Sequence, residues 1–172
     1  MNYSKIKKIS IIGNSAAGKS TLSNELGERL KLNIFSIDKA FWLPGWTLRD
    51  EVSFKKIHDQ WLSLDSWIIE GVGYWESMVD RITKSDRVIF LDVPASVCKA
   101  QAEKRIKEEK IFPNPNIIRG CVYSKVRDRQ MKVIDNFHND LRPRILELLS
   151  NLGTNRAEII SSIKELNIVR ET

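Results

Sequence analysis

Residues 13–20 read GNSAAGKS, a match at every fixed position to G-x-x-x-x-G-K-[ST], and they follow the apolar run ISII without a break. Each part of that pattern has a chemical use. Glycines let the backbone turn successive N–H groups inward around a phosphate, and a helix that starts there adds the positive end of its dipole. The Lys19 ammonium reaches the terminal phosphates, and the Ser20 hydroxyl is placed to ligate Mg²⁺. Gly13, Asn14, Ser15, Ala16, Ala17, Gly18, Lys19, Ser20 and Thr21 are therefore expected to cradle a nucleoside triphosphate.

The rest of the chain bears on what happens to the phosphate. A GTPase would carry N-K-x-D and D-x-x-G, and neither string occurs. A motor or transporter ATPase would place an acidic residue directly after the strand-end aspartate, whereas Asp92 is followed by Val93 and Pro94. Transfer to a small acceptor is the leading reading. Two more carboxylates, Asp38 at the end of NIFSID and Glu70 at the end of WIIE, close apolar runs of strand character. In a parallel sheet, ligands bind beyond the carboxyl ends of the strands. Both acids are expected at the same edge as the glycine loop, with Asp92 a weaker third.

The elements that would position these groups alternate along the chain. KKISIIG reads as a buried strand, and Leu22, Leu26 and Leu30 mark a helix over 19–31. NIFSID is a second strand, and Pro44 and Gly45 break the chain after it. Phe54, Ile57 and Trp61 mark another helix, with Trp61 expected in the core. SWIIEG and DRVIFLDVP are the third and fourth strands, with a helical YWESMVDRI between them. A basic helix spans about 95–110, and FPNPN interrupts the chain after it. Two helical stretches at 126–137 and 141–152 follow, then RAEII as a strand and a final helix after its serines. This alternation predicts an α/β fold, a parallel sheet with helices on both faces, in one domain over 1–172.

Composition narrows the class. At 172 residues the chain is long enough for a core without disulfides, and Cys98 and Cys121 form no metal-binding pattern and read as small packing residues. No apolar run approaches the length of a membrane span, and nothing resembles a signal peptide, so no membrane partner and a cytoplasmic location are expected. The net charge of +6 is concentrated: residues 99–132 hold ten lysines and arginines against four acids. Such a segment is either a solvated helix face or an anion-facing element. Phe41, Trp42 and Trp46 either pack the segment after Asp38 or offer a ring to a planar substrate. His58 and His138 read as surface residues.

Taken together, the glycine loop, SIDKAFWLPGW, WIIEG, FLDVP, the basic helix and the RPR at 142–144 resemble the adenylate-kinase-like P-loop kinases. Within them the combination D-x-x-x-W, W-I-I-[DE]-G and R-P-R is similar to the bacterial DNA topology modulation proteins (FlaR-like). The resemblance implies a three-layer P-loop sandwich with a five-stranded parallel sheet. It also implies a substrate-side segment over about 38–65 and a short lid over about 108–125. It makes ATP and Mg²⁺ the expected cofactors. By position it gives Glu70 to the metal with Ser20, Asp38 to the acceptor, and Arg105 to the transferring phosphates, with Lys19 and Asp38 as the other catalytic groups. Trp42, Arg127 and Arg142 are further substrate-side candidates, and Arg129 and Arg144 compete with them for the second lid contact. The short FPNPN, without cysteines, excludes a zinc-bearing lid. EGVGY in place of D-G-F-P-R argues against AMP as acceptor. The expected partner is a small-molecule acceptor: nucleotide, nucleoside or hydroxyl metabolite. A nucleotide-dependent, DNA-binding regulator of DNA topology is the less favoured alternative, because no known reader motif accompanies the basic segment.

Overall fold

The structure, a computed structural model, describes residues 6–109, 118–152, 155–162 and 165. The apolar run before the glycine loop is strand β1 (Lys8–Gly13), buried from Ile9 onward. A strand apolar on both faces fits the middle of a sheet covered by helices. The glycine loop leads into α1 (Lys19–Leu30), whose Leu22 and Leu26 are buried. Then come β2 (Ile34–Ser36), the short helix α2 (Ile37–Phe41), the hairpin β3 (Trp42–Leu43) and β4 (Thr47–Leu48), and α3 (Glu51–Leu62). Strand β5 (Trp67–Glu70), helix α4 (Trp75–Lys84), strand β6 (Arg87–Leu91) and helix α5 (Ala95–Glu108) follow. Helices α6 (Arg127–Asn136) and α7 (Arg142–Ser150) and strand β7 (Ala157–Ile160) complete the described elements.

The sheet runs β2-β5-β1-β6-β7, and every pairing in it is parallel. The expected α/β, five-stranded P-loop sandwich is the observed architecture. One face buries Ile9, Ile11, Ile89 and Leu91 against α1, α5 and α6. The other buries Ile12, Val88 and Phe90 against α4 and α7, and Trp67 and Ile69 against α2 and α3. Because β1 lies between β5 and β6, the register sets Ile11 beside Glu70 and Gly13 beside Leu91. The chain switches direction at this point, and the glycine loop sits in the crevice so formed.

Several local expectations are corrected. The second strand stops at Ser36, so Asp38 stands in the first turn of α2 instead of at a strand end. Residues 42–48 form a hairpin around a Pro44–Trp46 turn in which Gly45 and Trp46 take positive φ of 75° and 61°. The stretches at 126–137 and 141–152 are joined by a π-helical turn, Phe137–Leu141, in which the Arg142 N–H donates to Phe137 O. Pro143 gives the cause: it has no N–H for the carbonyl of Asn139 and its ring crowds that carbonyl, so the preceding turn widens. His58 is buried at 1% exposure, stacked on Phe54, because α3 turns that face onto the sheet. Trp61 is only partly buried and stacks on Phe35. Residues 110–117 of the expected lid and most of the expected last helix lie outside the described residues.

Candidate active site

The loop after β1 is held in place before any ligand arrives. Asn14 is buried; its Nδ2 donates to Ile134 O of α6 (2.9 Å) and its Oδ1 accepts from Ser15 N (2.7 Å). Ala16 and Ala17 turn inward and join the core. Gly13 passes so close to β6 that a Cβ would stand 2.7 Å from Leu91 O, at a φ of 151°. Gly18, at φ 98°, caps α1 with no side chain, which leaves the N–H groups of the first turn available to an anion. Lys19 folds back over the loop, its Nζ donating to Asn14 O (2.8 Å).

Beside this cradle stands Glu70, 3% exposed at the end of β5. Its Oε1 accepts from Ser36 Oγ (2.6 Å) and from Ser20 Oγ (3.4 Å). The Ser20 hydroxyl and the Glu70 carboxylate are thus within one side-chain contact of each other. This pair of hard oxygen donors fits Mg²⁺, an ion that keeps several waters and takes other ligands from phosphates. No group of three or more His, Cys, Asp or Glu among the described residues suits a fully protein-bound metal. Beneath Glu70 lies Arg81, fully buried, with Nη2 donating to Gly71 O (2.6 Å). Burial pushes the Arg81 guanidinium down to about 10, and the Glu70 charge opposes that shift. Sequence reading missed Arg81, although it shares a helix face with the buried Met78 and Ile82.

A cavity of about 910 Å³ opens from the cradle, bordered by Lys19, Ser20, Asp38, Glu70, Arg105 and Arg129. Asp38 and Trp42 line it from the α2 side. The loop after β5 closes in next to them: a Cβ at Gly71 would lie 2.7 Å, and one at Gly73 2.9 Å, from atoms of Ile37. Arg105 of α5 donates to Tyr123 Oη (3.2 Å), with its guanidinium 5.1 Å from that ring's centre. Burial raises the Tyr123 phenol; the Asp38 charge adds to the rise and the Arg105 charge opposes it. Arg129 lies 5.1 Å over the Trp42 ring. The Trp46 indole N–H donates to Val122 O (3.1 Å), and Cys121 Sγ bridges Trp46 N and Leu43 O, so residues 121–123 clasp the hairpin.

The other arginines lie elsewhere. Arg127 is ion-paired with Glu103 and Asp128 and does not border the cavity. Arg142 grips Asp92 through two bonds of 2.6 and 2.7 Å, which occupies the third strand-end acid, and it too stands outside the cavity wall. Arg144 covers the Trp75 ring at 3.9 Å. Three polar residues on the cavity, Gln130, Asn136 and Asp140, went unnoticed in the sequence; their signal was a helical spacing shared with Arg129 and Val133.

No family model matches the chain. It is 27% identical over 146 residues to the uncharacterized protein YqaC of Bacillus subtilis (strain 168), covering 81% of this chain and 79% of that protein. Among solved structures, a sugar kinase from Janibacter sp. HTCC2649 superposes with TM-score 0.54 at 16% identity, over 96% of this chain and 91% of that one. A shikimate kinase from Bacteroides thetaiotaomicron gives TM-score 0.53 at 13% identity, over 96% and 95%. A gluconokinase from Sinorhizobium meliloti 1021 gives 0.52 at 14%, over 96% and 88%. At these identities the likeness is one of fold, an α/β sandwich around a parallel five-stranded sheet.

Proposed function

We propose that the protein is an ATP-dependent kinase that moves the γ-phosphoryl group to a small molecule held beside Asp38. The observation that carries this reading is that the phosphate loop, the Ser20–Glu70 pair and Asp38 all face one cavity. On this reading the first-turn N–H groups of α1 and the Lys19 ammonium bind the phosphates, and Ser20 and Glu70 hold Mg²⁺. The ion supplies charge neutralisation at the phosphate oxygens. Arg105, already tethered to Tyr123, sets its positive charge against the negative charge that develops during transfer. Asp38 orients the acceptor and, where the acceptor is a hydroxyl, takes its proton.

The domain boundaries follow the same reading, with a single kinase domain, a substrate segment over about 38–65 and a lid over about 108–125. So does the setting, a cytoplasmic enzyme supplied with ATP and Mg²⁺. The sequence pattern D-x-x-x-W, W-I-I-E-G and R-P-R supports a place among the topology modulation proteins within this fold. A direct DNA contact is the weaker reading. Lys99 is paired with Asp135, Lys104 with Glu108 and Arg127 with Glu103, which leaves fewer free cations in the basic segment than its composition suggests.

The test is ATP-to-ADP conversion with and without candidate acceptors, in the native protein and in Asp38→Asn. Acceptor-dependent turnover that vanishes in the variant, with MgATP binding retained, is expected. Turnover without any acceptor dependence, equal in both proteins, would make it a plain hydrolase instead.

A further inference from the structure

The acceptor half of the cavity is rich in hydrogen-bond acceptors that lack donors. Asp38 and Asp140 border the cavity, and neither carboxylate makes a hydrogen bond or ion pair among the described residues. Gln130 is only 7% exposed; its Nε2 donates to Ser15 Oγ of the phosphate loop (3.4 Å), while its Oε1 is buried without a partner among the described residues. A buried carbonyl in that state costs free energy until a donor arrives. Asp140 belongs to the same half as Asp38. Its neighbour Leu141 packs on the core cluster that also holds Val72, and the loop from Gly71 to Gly73 lies against Ile37, next to Asp38. Asp140 is displayed by the π-helical turn, a geometry that concentrates at functional sites.

Two ligand classes fit this wall poorly. A nucleobase stacks on a ring, and the rings here are already engaged with one another and with cations. Phe41 meets Trp42 edge-on at 88°, Trp42 meets Trp46 at 83°, Arg129 covers Trp42, and Arg105 covers Tyr123. A phosphate monoester needs cations in excess, and with Arg105 given to the transferring phosphates the described wall offers Arg129 and Lys39 against Asp38 and Asp140, which balance.

Resting on the kinase reading above, we infer that the acceptor is a small, neutral, non-aromatic polyol whose hydroxyls donate to Asp38, Gln130 Oε1 and Asp140. The attacking hydroxyl oxygen bonds the γ-phosphorus as the bond to the β–γ bridging oxygen breaks. ADP departs, and the hydroxyl proton passes to the Asp38 carboxylate. Asp140 acts on binding alone.

The experiment follows phosphoryl transfer from ATP by phosphorus NMR against three panels. These are glycerol, ribose, mannitol and myo-inositol; adenosine and cytidine; and AMP and CMP. Transfer to a polyol and to neither other panel is expected. Asp140→Ala, at an exposed position, is expected to raise the polyol KM about tenfold or more, with kcat and the KM for MgATP within about twofold. Transfer confined to nucleosides or nucleotides overturns the polyol inference and leaves the kinase reading standing. No transfer to any panel by protein that still binds MgATP removes both. An unchanged polyol KM in Asp140→Ala removes Asp140 from the site.

Discussion

His58 gives a prediction whose size follows from its surroundings. The imidazole is 1% exposed, stacked 5.8 Å from Phe54, with Nε2 unpartnered among the described residues. Burial pushes its pKa down from 6.5 to about 4, and the Arg81 charge pushes the same way. The folded state therefore holds His58 neutral, whereas the unfolded chain takes up a proton below its ordinary value. Stability from this group is complete above about pH 6.5 and is lost as pH falls toward about 4. The full shift gives a loss of about 2 kcal/mol between pH 7 and pH 5, and any water that reaches the ring scales it toward about 1 kcal/mol. His58→Phe keeps the stack on Phe54 and removes the titration. Urea unfolding of both proteins at pH 7 and pH 5 reads the difference. The native protein is expected to lose about 1–2 kcal/mol more than the variant over that interval. Equal losses in the two proteins would refute the argument. The consequence reaches the site, because a Cβ on Gly73 would stand 3.1 Å from Phe54 Cζ, so the helix that His58 packs also backs the acceptor wall.

The remaining predictions concern the reaction. Lys19→Ala removes the charge over the phosphates and is expected to weaken MgATP binding about tenfold or more by titration calorimetry; unchanged affinity and turnover would end the triphosphate assignment. Glu70→Gln is expected to raise the Mg²⁺ concentration needed for half-maximal turnover, measured with ATP held constant, and an unaltered requirement would free Glu70 from the metal. Arg105→Ala is expected to lower kcat about a hundredfold with little change in MgATP affinity, whereas Arg127→Ala leaves kcat nearly unchanged. The reverse order of the two would make Arg127 the cation that acts. Binding to duplex DNA, followed across a salt series, is expected to be weak; a steep fall of log affinity with log salt would restore the DNA reading.

How much of this was legible depended on the distance over which each signal acts. The glycine loop is readable because its chemistry lies in consecutive residues, and the strands because β1, β5 and β6 are buried on both faces and so read as unbroken apolar runs. Asp38 and Glu70 were found by a rule about strand ends. The rule located the edge correctly, though Asp38 had already entered a helical turn. The arginines did not sort themselves. Nothing local distinguishes Arg105 and Arg129, which face the cavity, from Arg127 and Arg142, which are held by Glu103 and Asp92 at separations of 24 and 50 residues. Arg81 and His58 failed for the opposite reason: a polar side chain on a helix reads as solvated unless the face it shares is known to be buried.

The cavity residues that escaped sequence reading, Gln130, Asn136 and Asp140, share one support, and that explains the form of the site. Helix α6 is tied to the phosphate loop twice, by Asn14 Nδ2 on Ile134 O and by Gln130 Nε2 on Ser15 Oγ. The same helix lays Arg129 over Trp42, four residues after Asp38 along the chain. Its continuation through the π turn carries Asn136 and Asp140 to the cavity. On the proposed kinase reading, this one helix and its continuation link the phosphate loop to the wall beside Asp38. Phosphoryl transfer depends on such positioning more than on any one reactive group. On the proposed reading, the motif at residues 13–20 marks the side of the phosphate donor. On that reading the choice of acceptor falls to α6 and the π turn, where no short pattern in the sequence could announce it.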